Sequence, residues 1–139
     1  MSEELRLILL VEDELLVRWI AVEGLESAGY EVIEAENAEQ AIAVLQSGRD
    51  VGLLFTDVNM PGAMDGLALA ELVHARWPEV RLVVTSGRGL SRAVPDDGTF
   101  LRKPYSVGEL RAAIRAAGAP DRAEGSEASE GSPPAAPRT

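Results

Sequence analysis

Short unbroken apolar runs alternate along this chain with longer segments in which apolar residues recur every three or four positions, the two patterns that separate buried strands from helices. Leu7 to Val11 is the first run, short enough for a buried strand, and it stops at Glu12-Asp13-Glu14. From Leu15 to Ala28, Leu16, Ile20 and Leu25 recur at near-helical spacing and predict a helix, with Gly29 as its stop. Val32-Ile33, flanked by Glu31 and Glu34, makes a second strand. Asn37 then caps a helix carrying Ala41, Ile42 and Leu45 and ending near Gly48. Val51 to Phe55 is the third apolar run. Asp65-Gly66 opens a helix with Leu67, Ala70, Leu72 and Val73, which stops near Arg76 because Pro78 disfavours helical geometry at Trp77. Leu82 to Val84 is a fourth strand ending at Thr85-Ser86-Gly87, Thr99 to Arg102 a fifth, and Val107 to Ala117 a last helix with Leu110, Ile114 and Ala117 on one face.

Five strands alternating with helices over short connections imply an α/β fold whose parallel sheet is closed by right-handed crossovers. The flavodoxin-like (βα)5 strand order 2-1-3-4-5 is the natural candidate. One crossover departs from the pattern. Between Thr85 and Thr99 stand Gly87, Gly89, Pro95, Asp96, Asp97 and Gly98, which leave about Leu90 to Val94 for a helical turn, so the fourth helix is expected to be short or absent. Residues 1–118 form the expected domain. Residues 119–139 are a run of Ala, Glu, Ser, Gly and Pro without apolar periodicity, expected to be a disordered acidic tail.

Composition narrows the chemistry. The 139 residues suffice for one full core, and the absence of cysteine removes disulfides, thiolate metal sites and Cys nucleophiles. A formal charge of −10 argues against nucleic acid and anionic membrane as direct partners, since both are bound through Lys and Arg. The acidic start Met1-Ser2-Glu3-Glu4 is unlike a signal peptide, and no apolar run is long enough to span a bilayer, so a cytoplasmic location is expected.

The third strand gives way to Asp57-Val58-Asn59-Met60-Pro61-Gly62, a carboxylate before a surface turn, where Asp57 is expected to point outward. In open parallel sheets ligands bind at the carboxyl ends of the strands. The order 2-1-3-4-5 would gather Glu12 and Asp13, Asp57, Thr85 and Ser86, and Lys103 along one such edge. Carboxylates so crowded need a cation, and Mg²⁺ suits them because it takes oxygen ligands and keeps room for a phosphate oxygen. Lys103 is the only lysine in the chain, a compact charge able to enter a pocket too narrow for a guanidinium fork.

Taken together, Leu9-Leu10-Val11-Glu12-Asp13-Glu14, Phe55 to Gly62, Val84-Thr85-Ser86-Gly87 and Lys103-Pro104-Tyr105 resemble the receiver domain of two-component response regulators, across roughly residues 5 to 117. The resemblance implies that Asp57 is a phosphoacceptor attacking a phosphohistidine of a sensor histidine kinase or histidine phosphotransfer protein. It implies that Asp13, Asp57, the Asn59 backbone carbonyl and, through water, Glu12 hold Mg²⁺. Lys103 and the Thr85 hydroxyl would contact phosphoryl oxygens, and Phe100 would be the aromatic residue of the family's switch. No output domain is expected after residue 118, and the chain is expected to be a stand-alone receiver rather than an enzyme, acting through other proteins.

Two other functions compete. A Mg²⁺-dependent phosphohydrolase would need an acid two residues past the nucleophile, where this chain has Asn59, an amide that cannot move protons. A protein-binding module indifferent to phosphorylation would keep its crowded carboxylates at a standing cost. Gly87 lacks a side chain to shield a phosphoryl group, so appreciable autodephosphorylation is expected. His74 reads as a rim residue, Trp19 and Trp77 as packing, and Arg88 and Arg92 as a solvated face.

Overall fold

The computed structural model describes residues 7 to 118; the expected tail at 119–139 lies outside the described residues. Nine regular elements follow in the order β1 (Leu7–Val11), α1 (Leu15–Ser27), β2 (Glu31–Ala35), α2 (Ala38–Gln46), β3 (Leu53–Asp57), α3 (Gly66–Arg76), β4 (Arg81–Ser86), β5 (Thr99–Arg102) and α4 (Val107–Gly118). The five strands pair in parallel in the order β2-β1-β3-β4-β5, the flavodoxin-like arrangement. Pleating sends alternate residues to opposite faces. Leu9, Val11, Leu54, Leu82 and Val84 pack with α2 and α3 residues on one side. Ile8, Leu10, Leu53, Phe55 and Val83 pack with α1 and α4 residues on the other.

The helix boundaries have local causes. Asn37 and Asp65 accept hydrogen bonds from the Gln40 and Ala68 amides, satisfying amides that open α2 and α3. Gly66 is the first residue of α3, and its amide donates to Val58 O at 2.9 Å. A methyl group at Gly66 would overlap the Asp57 carbonyl oxygen and lie 2.9 Å from Thr56 Oγ1. Glycine here lets the helix start directly against the end of β3.

The structure corrects four expectations. β3 runs from Leu53 through Asp57 rather than from Val51, because Asp57 pairs in register with Thr85 and extends the ladder. Its side chain is consequently sunk, with the residue 4% exposed, instead of pointing outward. The β4–β5 connection has no α-helix, as expected, but its tight turn lies at Pro95–Asp97, with Asp96 and Asp97 at positive φ, and not at Leu90 to Val94. Val94 and Leu90 instead cover the sheet beside Leu82.

The fourth correction concerns α1. Leu15, Leu16, Trp19 and Ile20 are 70, 67, 59 and 45% exposed, while Arg18, Ala21, Val22, Gly24 and Leu25 face inward. The helix is apolar nearly all round, so spacing alone did not choose its buried face. Close packing did: a methyl group at Gly24 would come within 2.9 Å of Val107 Cγ1 on α4. Trp19 is thus a surface residue, whereas Trp77 packs against the α2–α3 core with the Arg76 guanidinium 5.2 Å from its ring centroid. His74 is half-buried, and its Nδ1 has no hydrogen-bond partner among the described residues.

Candidate functional site

Strands β1, β3, β4 and β5 are consecutive neighbours, and their carboxyl ends bring Glu12, Asp13, Asp57, Thr85 and Lys103 to one edge. Carboxylate oxygens of Glu12, Asp13 and Asp57 lie within 4.8 Å of one another. Asp13 is exposed, whereas Glu12 and Asp57 are buried. Lys103 reaches both buried acids, donating to Glu12 Oε1 at 3.2 Å and to Asp57 Oδ2 at 3.1 Å. The Glu14 amide donates to Glu12 Oε2 at 3.1 Å, and the Asn59 amide to Asp57 Oδ1 at 3.3 Å.

Charge and burial pull against each other here. Burial raises the Asp57 carboxyl above its ordinary value, with Asp13 adding to the rise, and the hydrogen bond and charge of Lys103 only partly offset it. Burial raises Glu12 likewise, opposed by the Glu14 amide and Lys103. Burial works to lower Lys103, yet the bond to Asp57 and the charges of Asp57 and Glu12 outweigh it and leave the ammonium raised. The Tyr105 hydroxyl, buried without a hydrogen-bond partner among the described residues, is pushed up to about 12 by burial; its ring meets Phe55 edge-on.

Three carboxylates against one ammonium leave an excess of negative charge in a partly desolvated pocket made of oxygen donors. That donor set fits a hard divalent cation such as Mg²⁺. Thr85 lies beside Asp57 in the sheet register, and its buried Oγ1 has no hydrogen-bond partner among the described residues. A buried hydroxyl left unpaired next to an acid is a ready donor for an oxygen that arrives there.

Of the residues singled out in the sequence, Glu12, Asp13, Asp57, Thr85 and Lys103 come together. Asn59 is exposed and touches the group through its amide. Phe100 stands apart: it pairs with Val84 and packs on the α2–α3 side, while the register partner of Thr85 is Leu101. Gly87 has open space around it. Sequence reasoning passed over Arg18 and the structural role of Gly66. A glycine directly after a capping Asp was the available signal for the second; no pattern marked the first.

Comparison with known proteins agrees with this geometry. Residues 8–115 match the family model described as response regulator receiver domain. The chain is 34% identical over 114 residues to the sensor kinase CckA of Brucella abortus, covering 78% of this chain and 12% of that protein. Another long curated relative is likewise spanned only in part, to 24% of its length. The receiver protein CpdR of Brucella abortus is 34% identical over 108 residues, covering 74% of this chain and 88% of CpdR. The structure of the response regulator TrrA of Thermotoga maritima, in complex with Mg²⁺-BeF, superposes with a TM-score of 0.72 at 26% identity, over 80% of this chain and 97% of TrrA. With its sheet order, its acidic edge and these matches in agreement, the chain belongs to the response regulator receiver domain family of two-component signalling.

Proposed function

We propose that this chain is a phosphoacceptor module in which Asp57 takes a phosphoryl group from a phosphohistidine on a kinase or phosphotransfer protein. The observation that carries this reading is the Asp57 carboxylate, held at the end of β3 with Lys103 at 3.1 Å and oxygens of two further acids within 4.8 Å. An oxygen of Asp57 attacks phosphorus, the new O–P bond forms as the P–N bond breaks, and the imidazole leaves with the bonding pair. Phosphoryl transfer asks a protein chiefly for positioning and neutralisation of charge. Lys103 keeps its charge because its pKa is raised, and it serves the phosphoryl oxygens once they displace part of its contact with Asp57. The unpaired Thr85 hydroxyl turns to one of those oxygens. Mg²⁺, held by Asp13, Asp57, the Asn59 carbonyl and Glu12 through water, would neutralise the oxygens of the transferred group. The Mg²⁺-BeF complex of TrrA supports this assignment by analogy.

The donor needs a place to dock. α1 starts two residues after Asp13, and its exposed Leu15, Leu16, Trp19 and Ile20 form an apolar surface flanked by the exposed acids Asp13, Glu14 and Glu23. A donor protein presenting an apolar face with a basic rim fits that surface and brings its histidine over the pocket.

The test is intact mass after incubation with acetyl phosphate. One Mg²⁺-dependent phosphoryl adduct is expected in the wild type, absent in Asp57→Asn and reduced in Lys103→Ala. A wild type that gains no adduct overturns the reading.

A further inference from the structure

Arg18 is the one basic residue that is buried among the described residues, and it lies on the inward face of α1. Its guanidinium spreads over three acceptors. Nη1 donates to the Glu12 carbonyl oxygen at 2.8 Å, Nε to Glu34 Oε1 at 3.0 Å, and Nη2 stands 3.7 Å from Glu36 Oε2. Neither hydrogen bond goes to a carboxylate of the acidic trio. Instead one of them ends on the peptide that joins Glu12 to Asp13.

That peptide is where the direction of Asp13 is set. On its other side Glu12 is already fixed, its amide donating to Ala35 O at 3.0 Å and its carboxylate held by the Glu14 amide and Lys103. Asp13 is exposed, so its aim depends on backbone orientation rather than on packing of its side chain. Arg18 locks that orientation to β2 through Glu34, the strand neighbour of Leu10. If joining α1 to the sheet were the sole requirement, an apolar side chain would do it without the desolvation cost of a guanidinium. A planar fork able to bond a carbonyl and a carboxylate in different directions is what the observed contacts use.

We propose that Arg18 is a positioning residue for divalent-cation binding: it holds the Glu12–Asp13 peptide so that the Asp13 carboxylate meets the ion in the geometry Mg²⁺ demands. The proposal rests on reading the acidic edge as a Mg²⁺-dependent site. It has a sign that simple electrostatics does not share. A nearby positive charge repels Mg²⁺, so removing it would tighten binding if charge were all that mattered, whereas loss of positioning weakens it. It also discriminates between ions, because Mg²⁺ requires a near-ideal octahedron and Ca²⁺ tolerates irregular ligands.

The experiment is calorimetric titration of Mg²⁺ and of Ca²⁺ into the full chain, as wild type, Arg18→Lys, Arg18→Met and Glu34→Gln, with melting temperatures recorded beside them. Outer residues that orient metal ligands typically alter affinity by about 10-fold or more, so the Mg²⁺ Kd is expected to rise roughly 10-fold in both Arg18 variants. The Ca²⁺ Kd should change by less than about 3-fold, because its ligand shell adapts. Glu34→Gln, at an exposed position, should move the ratio of the two constants in the same direction by a smaller amount. A folded Arg18→Met that binds Mg²⁺ as tightly as wild type, or tighter, overturns the proposal, as do equal shifts for the two ions. Should the Arg18 variants fail to fold, an unchanged ratio in Glu34→Gln overturns it. A wild type that binds no Mg²⁺ at millimolar concentration would instead bring down the reading of the site, and the proposal with it.

Discussion

Asp57 and Glu12 are held above their ordinary values of 3.8 and 4.5, first by burial and then by neighbouring acids. A folded state that binds protons more tightly than the unfolded one loses stability as pH rises through the interval between the two values. Lys103 works in the other sense: its value is raised above 10.5, so its contribution is complete below that pH and lost only on passing the raised value. Without Mg²⁺, the melting temperature is therefore expected to fall as pH rises above the ordinary carboxylate values, and a saturating divalent ion should remove that fall because it binds the ionised carboxylates. Asp57→Asn removes one of the crowded charges and is expected to raise the melting temperature in chelator while flattening its pH dependence. A lower melting temperature in that variant would contradict the picture of a standing cost at the site. At this scale the sequence was informative where chemistry is concentrated in short strings, as at Glu12-Asp13 and at Lys103. It was silent on Arg18, because an arginine on a helix is ordinarily solvated and its burial depends on which face α4 covers.

Gly66 and the β4–β5 connection place the constraints among elements. Because a methyl group at Gly66 would overlap the Asp57 carbonyl, Gly66→Ala must push α3 away from the end of β3. Such overpacking costs about 1–3 kcal/mol, and denaturant unfolding should show a loss toward the upper end, together with a slower gain of phosphoryl adduct as Asp57 shifts. The segment that stands in place of a helix between β4 and β5 is tied to α3 by Arg92, whose Nε and Nη2 donate to the Glu71 carboxylate at 2.6 and 2.8 Å. Arg92, read from sequence with Arg88 as a solvated face, holds Glu71 below its usual value through its hydrogen bond. Both side chains are about half exposed, so Glu71→Gln should leave the melting temperature nearly unchanged while speeding amide exchange in residues 87–98. Unaltered exchange there would mean that Leu90 and Val94, not the ion pair, fix the connection. The sequence announced the missing helix through Gly, Pro and Asp, which mark where helices fail. It misplaced the remaining turn because Pro95 opens one more readily than the apolar Leu90 to Val94 stretch.

For the molecule as a whole, strand order was legible because alternating elements and short connections leave few parallel sheets to choose from. The outward face of α1 was not, since an apolar helix declares no side until its neighbours are in place. The same wiring ties the site to global stability: its residues come from the ends of four strands, and an ion held by Glu12, Asp13 and Asp57 would join the ends of β1 and β3 at the centre of the sheet. Mg²⁺ at about 100 times its Kd is expected to add about 2.7 kcal/mol to unfolding, and Asp13→Asn to lose most of that gain without altering the metal-free fold. Open space stands where a side chain at Gly87 would be, so no side chain there shields a phosphoryl group, and the phosphorylated form is expected to decay within hours, which a mass-spectrometric time course would check.

The exposed indole of Trp19 turns α1 into an optical gauge. Its ring is bathed in solvent while Trp77 is packed and stacked under a guanidinium, so the two tryptophans should emit at separable wavelengths. A protein that settles on Leu15, Leu16 and Ile20 must dehydrate the ring between them and shift its emission to the blue. Docking can therefore be watched on the unlabelled chain, separately from the chemistry that follows it.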